Sequence, residues 1–235
     1  MRGTADVRLV VFDVDGTLVD SRRSIQASSD AAFRHLGRTP PPYEAVRQTI
    51  GLSLAEGLGQ LAPDLSADEL EELLRFYKSY FSALHQDPAW RDPLYDGAAN
   101  LLEALKQDGW KIAMATGQSR RGVERALRVH DWADIFDSTH CADDGPGKPH
   151  PSMLLEAMRA LGAGPGQTIM IGDTAHDIRM ARAADVQSVG VTWGFHTRDE
   201  ITDAGADRIC DTFPELGEIV HAFGRALAGT RTLAG

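Results

Sequence analysis

Four short apolar runs, each halted by a polar or glycine-bearing turn, set the rhythm of this chain. Leu9–Phe12 (LVVF) and residues 111–115 (KIAMA), 168–171 (TIMI) and 186–191 (VQSVGV) are too short to carry a helical period. Short apolar runs of this kind are the mark of strands buried on both faces of a parallel sheet. Helical spacing appears between and after them, over residues 97–107, 120–129, 152–161 and 175–184, with several of these stretches opening after Ser, Thr or Asp and closing near Gly. Strand and helix in alternation predict an α/β fold, a sandwich of helices around a parallel sheet.

Residues 21–90 break the alternation. Helical patterns cover 24–36, 54–61 and 66–84 with no convincing strand among them, so this stretch reads as a helical insert following the first strand. Pro40, Pro41 and Pro42 punctuate it from within, and Asp87, Pro88, Asp92 and Pro93 mark the way out. The expected organisation is a core of residues 1–20 and 91–235 and a small helical domain of residues 21–90. Residues 229–235, small and polar, are expected to fray.

Composition narrows the classes. At 235 residues and 43% hydrophobic content the chain can bury a substantial core. A formal net charge of −10 leaves no basic footprint for nucleic acid or an anionic membrane. Cys141 and Cys210 stand far apart without a CxxC pair, which argues against a disulfide framework or structural zinc and for a reducing, cytoplasmic setting. The apolar run near the N-terminus is a few residues long with acids on both sides, unlike a signal peptide or a spanning helix.

Four polar clusters stand at the ends of the expected strands: Asp13-Val-Asp15-Gly16-Thr17, Thr116-Gly117, Lys148-Pro149, and Gly172-Asp173 running on to Asp177. Ligands of a doubly wound sheet bind at the carboxyl ends of its strands, so clusters distant in sequence converge on one crevice. Carboxylates meeting one lysine and one hydroxyl make a hard oxygen site suited to magnesium and a phosphoryl group. Asp13 is the candidate nucleophile and Asp15, freed by the Gly16 turn, the candidate acid and base. Lys148 would neutralise charge on the transferring oxygens, and Thr116 with the N–H groups after it would hold another oxygen. Singly, each cluster has a plainer reading, as a turn, a helix cap or a solvated lysine. Their number and order carry the inference. Competing motifs fail: Pro149 stands where a nucleotide-binding loop needs Ser or Thr, and Ser24 where a calcium loop starting at Asp13 needs an acid.

These residues resemble the haloacid dehalogenase superfamily, whose four motifs are matched by DVDGTLVDS from Asp13, ATG from Ala115, GKPHP from Gly147 and GDTAHD from Gly172. The resemblance implies a Rossmann-like three-layer α/β/α core with an inserted small α-helical cap. It implies catalysis by Asp13, Asp15 and Lys148, a Mg2+ cofactor held by Asp13, the Asp15 carbonyl and Asp173 with help from Asp177, and phosphate binding by Thr116, Gly117 and Lys148. Gly117 departs from versions of the second motif that carry Asn or Ser there, removing a side-chain donor. Within the superfamily the chain looks most like the phosphoglycolate phosphatases, which implies a small phosphorylated metabolite as partner. Arg23, Arg47 and the TIGLSL segment from Thr49 are the cap positions expected to touch the substrate's non-phosphate end. Two rivals share parts of this pattern: a phosphomutase of the β-phosphoglucomutase type, and a phosphoacceptor signalling domain, against which Asp15 and the insert argue.

Overall fold

The sheet is made of the four marked runs and two more. In the computed structural model, which describes residues 7–232, six parallel strands stand in the order β3-β2-β1-β4-β5-β6. They are β1 (Leu9–Phe12), β2 (Lys111–Thr116), β3 (Ser138–Cys141), β4 (Thr168–Gly172), β5 (Gln187–Val191) and β6 (Arg208–Cys210). β3 and β6 were not expected from the sequence because they form the two edges of the sheet. Residues 138–140 of β3 are only half-buried, and β6 is three residues with one buried side chain, so neither shows an apolar run. Phe12 of the central β1 lies level with Met114 of β2 and Ile171 of β4.

Alternation along the inner strands sends side chains to two separate cores. Val10, Phe12, Ile112, Met114, Ile169 and Ile171 enter one face, packed by α5 (Ala98–Gln107), α6 (Arg120–Val129) and α10 (Phe213–Thr232) through Leu102, Leu105, Val123, Leu216 and Val220. Leu9, Val11, Ala113, Ala115 and Met170 enter the other, beneath α7 (Ser152–Leu161) and α8 (Ala175–Ala183). Three layers result, as the strand–helix alternation requires. α9 (Arg198–Ala204) and α10 were not anticipated. The tail expected to fray from Gly229 is helical as far as Thr232, continuing a helix whose Leu216 and Val220 are fully buried, and residues 233–235 lie outside the described residues. Among the described residues no helix is long and apolar enough to cross a membrane.

Between β1 and α5 the chain forms α1 (Arg22–His35), α2 (Tyr43–Thr49), α3 (Leu54–Leu61) and α4 (Ala67–Leu84). α2, absent from the sequence reading, follows the proline run. Ser53 with Glu56 and Ser66 with Glu69 form reciprocal capping boxes that start α3 and α4, satisfying backbone N–H groups a helix start leaves free. These helices have a small core of their own, with Ala32, Phe33, Leu58, Leu73 and Tyr77 buried together. Entry and exit run side by side: Asp20 N–H donates to Pro93 O at 2.9 Å and Tyr95 N–H to Leu18 O at 3.0 Å.

Leu102 is 1% exposed between α5 and the sheet, whereas Leu155 on the outer side of α7 is 47% exposed. Leu102→Ala is expected to lower unfolding free energy by about 2–5 kcal/mol and Leu155→Ala by no more than about 0.5 kcal/mol in denaturant titrations. Equal losses would contradict the packing described.

Candidate active site

The three central strands deliver their carboxyl ends to one place. Asp13 follows β1 directly, its N–H donating to Ile171 O at 2.9 Å, while β2 ends on Thr116 and β4 runs into Asp173. Lys148 enters from the loop between β3 and α7, and Asp177 from the first turn of α8. The chain leaves β1 for β2 and β3 on one side and returns to β4 on the other, and this switch in strand order opens a crevice beside β1. Gly16 makes the turn beyond Asp13 at φ +89°, where a Cβ would come within 2.2 Å of Asp173 Oδ2. Only glycine combines that backbone with that approach.

Asp13, Thr116, Lys148, Asp173 and Asp177 are each at most 1% exposed. Lys148 Nζ lies 2.5 Å from Asp13 Oδ1 and 2.7 Å from Asp177 Oδ1, bridging the two carboxylates. Asp173 accepts from Thr17 Oγ1 and from the Phe195 N–H, both at 2.8 Å. Asp177 also does the plainer job expected of it: its Oδ2 accepts from the Thr174 hydroxyl at 2.7 Å as part of the α8 cap. Thr116 Oγ1 accepts from the Gln118 N–H at 3.2 Å.

One cation cannot balance three buried carboxylates. Burial pushes the Asp13 carboxyl well above its ordinary value; Lys148 opposes this, and Asp177 and Asp173 add to it. Burial and then Asp177 raise Asp173 to about 7. Burial alone would lower the Lys148 pKa, but Asp13 and Asp177 more than reverse that and hold the ammonium charged. Asp13, Asp173 and Asp177 offer oxygens that all lie within 4.8 Å of one another, and Asp13 Oδ2 is buried without a hydrogen-bond partner. This donor set fits a divalent metal ion, which would take the orphaned oxygen and remove the mutual repulsion.

Above the buried cluster lies a cavity of about 1120 Å³ between insert and core, with Asp13, Asp15, Gly117 and Gln118 among its lining. Asp15 is half-buried there and accepts from Gln118 Nε2 at 2.7 Å; burial raises its pKa, with that hydrogen bond opposing. Gln118 was not singled out in the sequence, although it directly follows the Thr116-Gly117 pair. Residues 49–54 line the cavity. Gly117 has a steric reason to lack a side chain, since a Cβ there would stand 2.3 Å from Leu52 O, where the insert's backbone rests on the core.

Arg23 and Arg47 do not line this cavity. Arg47 is drawn away by carboxylates: it pairs with Glu200 of α9 at 2.8 Å and Glu44 at 2.6 Å and donates to Phe195 O at 3.2 Å, so it ties α2 to the core. Arg23 lies 3.8 Å from the centre of the Trp90 ring and donates to Ala89 O at 3.2 Å. Both guanidiniums are engaged by groups of the protein itself.

The raised Asp173 pKa sets a pH dependence. The fold holds a proton that the unfolded chain releases near 3.8, so the stability of metal-free protein is lost as pH rises from about 4 to about 7. Asp173→Asn keeps an acceptor for the Phe195 N–H and removes the charge. In chelator, its melting temperature relative to wild type is expected to climb across that window. A difference that stays constant from pH 4 to pH 7 would contradict the electrostatic account.

Known proteins resemble this chain in sequence and in fold. The family model described as haloacid dehalogenase-like hydrolase matches residues 7–185. A Dickeya dadantii protein named "Probable phosphatase IndB" is 37% identical over 218 residues, covering 91% of this chain and 94% of its own length. A phosphoglycolate phosphatase of Psychrobacter arcticus is 29% identical, covering 90% of this chain and 94% of its own. Among solved structures, a haloacid dehalogenase-like family hydrolase of Streptococcus pneumoniae superposes with a TM-score of 0.77 at 26% identity, covering 89% of this chain and 96% of that one. Matched by that family model over residues 7–185 and 37% identical to one named phosphatase along 91% of its length, this chain belongs to the haloacid dehalogenase-like hydrolase family.

Proposed function

We propose that this hydrolase is a magnesium-dependent phosphatase that cleaves a small phosphate monoester through an aspartyl-phosphate on Asp13, after the manner of phosphoglycolate phosphatase. The observation that carries the reading is the meeting of Asp13, Asp173 and Asp177 within 4.8 Å, with Lys148 bridging Asp13 and Asp177 and Asp15 in the cavity two residues on. Magnesium, held by Asp13, the Asp15 carbonyl and Asp173 with Asp177 supporting, would neutralise phosphoryl oxygens and keep Asp13 ionised.

Asp13 then attacks phosphorus, and the bond from phosphorus to the leaving alcohol breaks as Asp15 gives that oxygen its proton. An acid for this step works best with a raised pKa, which the half-buried Asp15 has. In the second half Asp15 takes a proton from water, the water oxygen bonds to phosphorus, and Asp13 leaves with its carboxylate restored. Lys148 compensates charge on the transferring group, while the Thr116 hydroxyl and the Gly117 N–H hold another phosphoryl oxygen. Residues 21–90 act as the cap domain over residues 1–20 and 91–235, excluding bulk water at closure. The isolated bridge between Val19 and Leu94, where entry and exit run side by side, supports a hinge there. Two free, buried cysteines support a reducing, cytoplasmic setting.

Phosphate release from a panel of small esters, with and without chelator, tests this reading. Asp13→Asn is expected to stay folded and to lose at least about a hundredfold in rate, since an amide cannot attack phosphorus. Chelation should abolish wild-type turnover and magnesium restore it. Full rate in excess chelator, or substantial turnover by Asp13→Asn, would refute the assignment, and transfer of the phosphoryl group to a sugar hydroxyl in place of water would make the enzyme a phosphomutase.

A further inference from the structure

Resting on the phosphatase reading, we infer that Arg125 is the residue that reads the substrate's far end, binding a carboxylate carried by the leaving alcohol. It is a core residue, outside the insert. α6 begins at its Ser119 cap, just beyond Gln118, and Arg121, Arg125 and Arg128 recur at i, i+4 and i+7 on the side that lines the cavity. Val123 and Ala126 point the other way into the sheet core.

Among these, Arg125 differs by being half-buried with nothing to bond. Among the described residues, the other half-buried arginines each donate to an oxygen: Arg8 to Asp108 O, Arg22 to Asp20, Arg38 to Asp64, Arg47 to Glu200 and Arg120 to Asp144. Arg125 has no such hydrogen bond or ion pair. It instead lies 4.5 Å from the centre of the Phe81 ring of α4, a cation–π contact that fixes the guanidinium between insert and core. Nearby carboxylates have other partners. Asp15 accepts from Gln118, and Asp92 accepts from His85 at 2.8 Å and from Ser24. Burial lowers the Arg125 pKa, with Asp15 and Asp92 opposing, as expected of a cation short of a partner.

Position along α6 gives the spacing. About 7.5 Å of helix axis separate Arg120, where α6 starts, from Arg125, and helical side chains lean back toward the N-terminus, so the guanidinium reaches back toward Gln118, the partner of Asp15. An anion a few bonds beyond the scissile oxygen would meet it. With the guanidinium over the Phe81 ring and its donor edges free, a single planar fork matches a single planar carboxylate. Arg121 and Arg128, exposed at the opening, add an attractive field in a chain otherwise strongly acidic.

The test compares two esters alike in shape and different in charge, phosphoglycolate and phosphoglycolamide. Wild type should favour the carboxylate. Arg125→Met, which keeps the apolar stem over Phe81, should lower kcat/KM for phosphoglycolate by about ten- to a hundredfold, mostly through KM, and affect the amide far less. Arg125→Lys should recover part of the preference. Arg47→Ala, whose guanidinium serves Glu200, should change both esters alike. Calorimetric binding of both esters, in the Asp13→Asn background with and without Arg125→Met, reads the same preference without turnover. Release of phosphate from neither ester by wild type would tell against the hydrolase reading while the binding arm still decides Arg125. A wild type indifferent to the charge, an Arg125→Met variant that keeps the preference or loses both esters equally, or a preference abolished by Arg47→Ala alone would overturn the inference.

Discussion

Concentrated negative charge at the end of β1 is the constraint around which this protein is organised. Three carboxylates sit out of water within 4.8 Å of one another, with one lysine between two of them. Such a cluster is unstable on its own terms, because each ionised group raises the pKa of the next. It persists because rigid elements enforce it: Asp13 by the central strand, Asp173 by the end of β4 and two hydrogen bonds, and Asp177 by its place in the cap of α8. Repulsion held in place by a stiff sheet is what suits the site to a divalent cation.

In the proposed reaction Asp13 and Asp15, two residues apart, take different roles because their environments differ. Asp13 is buried against Lys148 and the other acids, where a bound cation would keep it charged as the nucleophile. Asp15 is half-buried at the cavity wall, where burial raises its pKa and Gln118 holds its orientation. The Gly16 turn makes the difference possible, since its backbone conformation turns the chain immediately under Asp173.

Insert and core meet through contacts of two kinds. Backbone of the insert rests on Gly117, and Arg47 and Gln48 both bond to Glu200, so the edges of the interface are fastened by polar groups. Its interior is an open cavity with an unpartnered guanidinium on the core side. Arginines that tie elements together and an arginine free for a ligand are indistinguishable as letters; they are told apart by which oxygens come within reach.

The inner strands, most of the helices and the acid, hydroxyl and lysine clusters were legible in the sequence because their signals are local. A strand buried on both faces is an unbroken apolar run, and a turn at its end must carry Gly and polar groups. Edge strands β3 and β6 were not legible, since a strand buried on one side need not be apolar. The run of α10 to Thr232 was missed for a related reason: its stability comes from Leu216 and Val220 packing on the sheet. Tertiary structure alone decided the arginines. Arg47 turns from the cavity because Glu200, 153 positions away, comes to rest beside it, and no pattern along the chain encodes that distance.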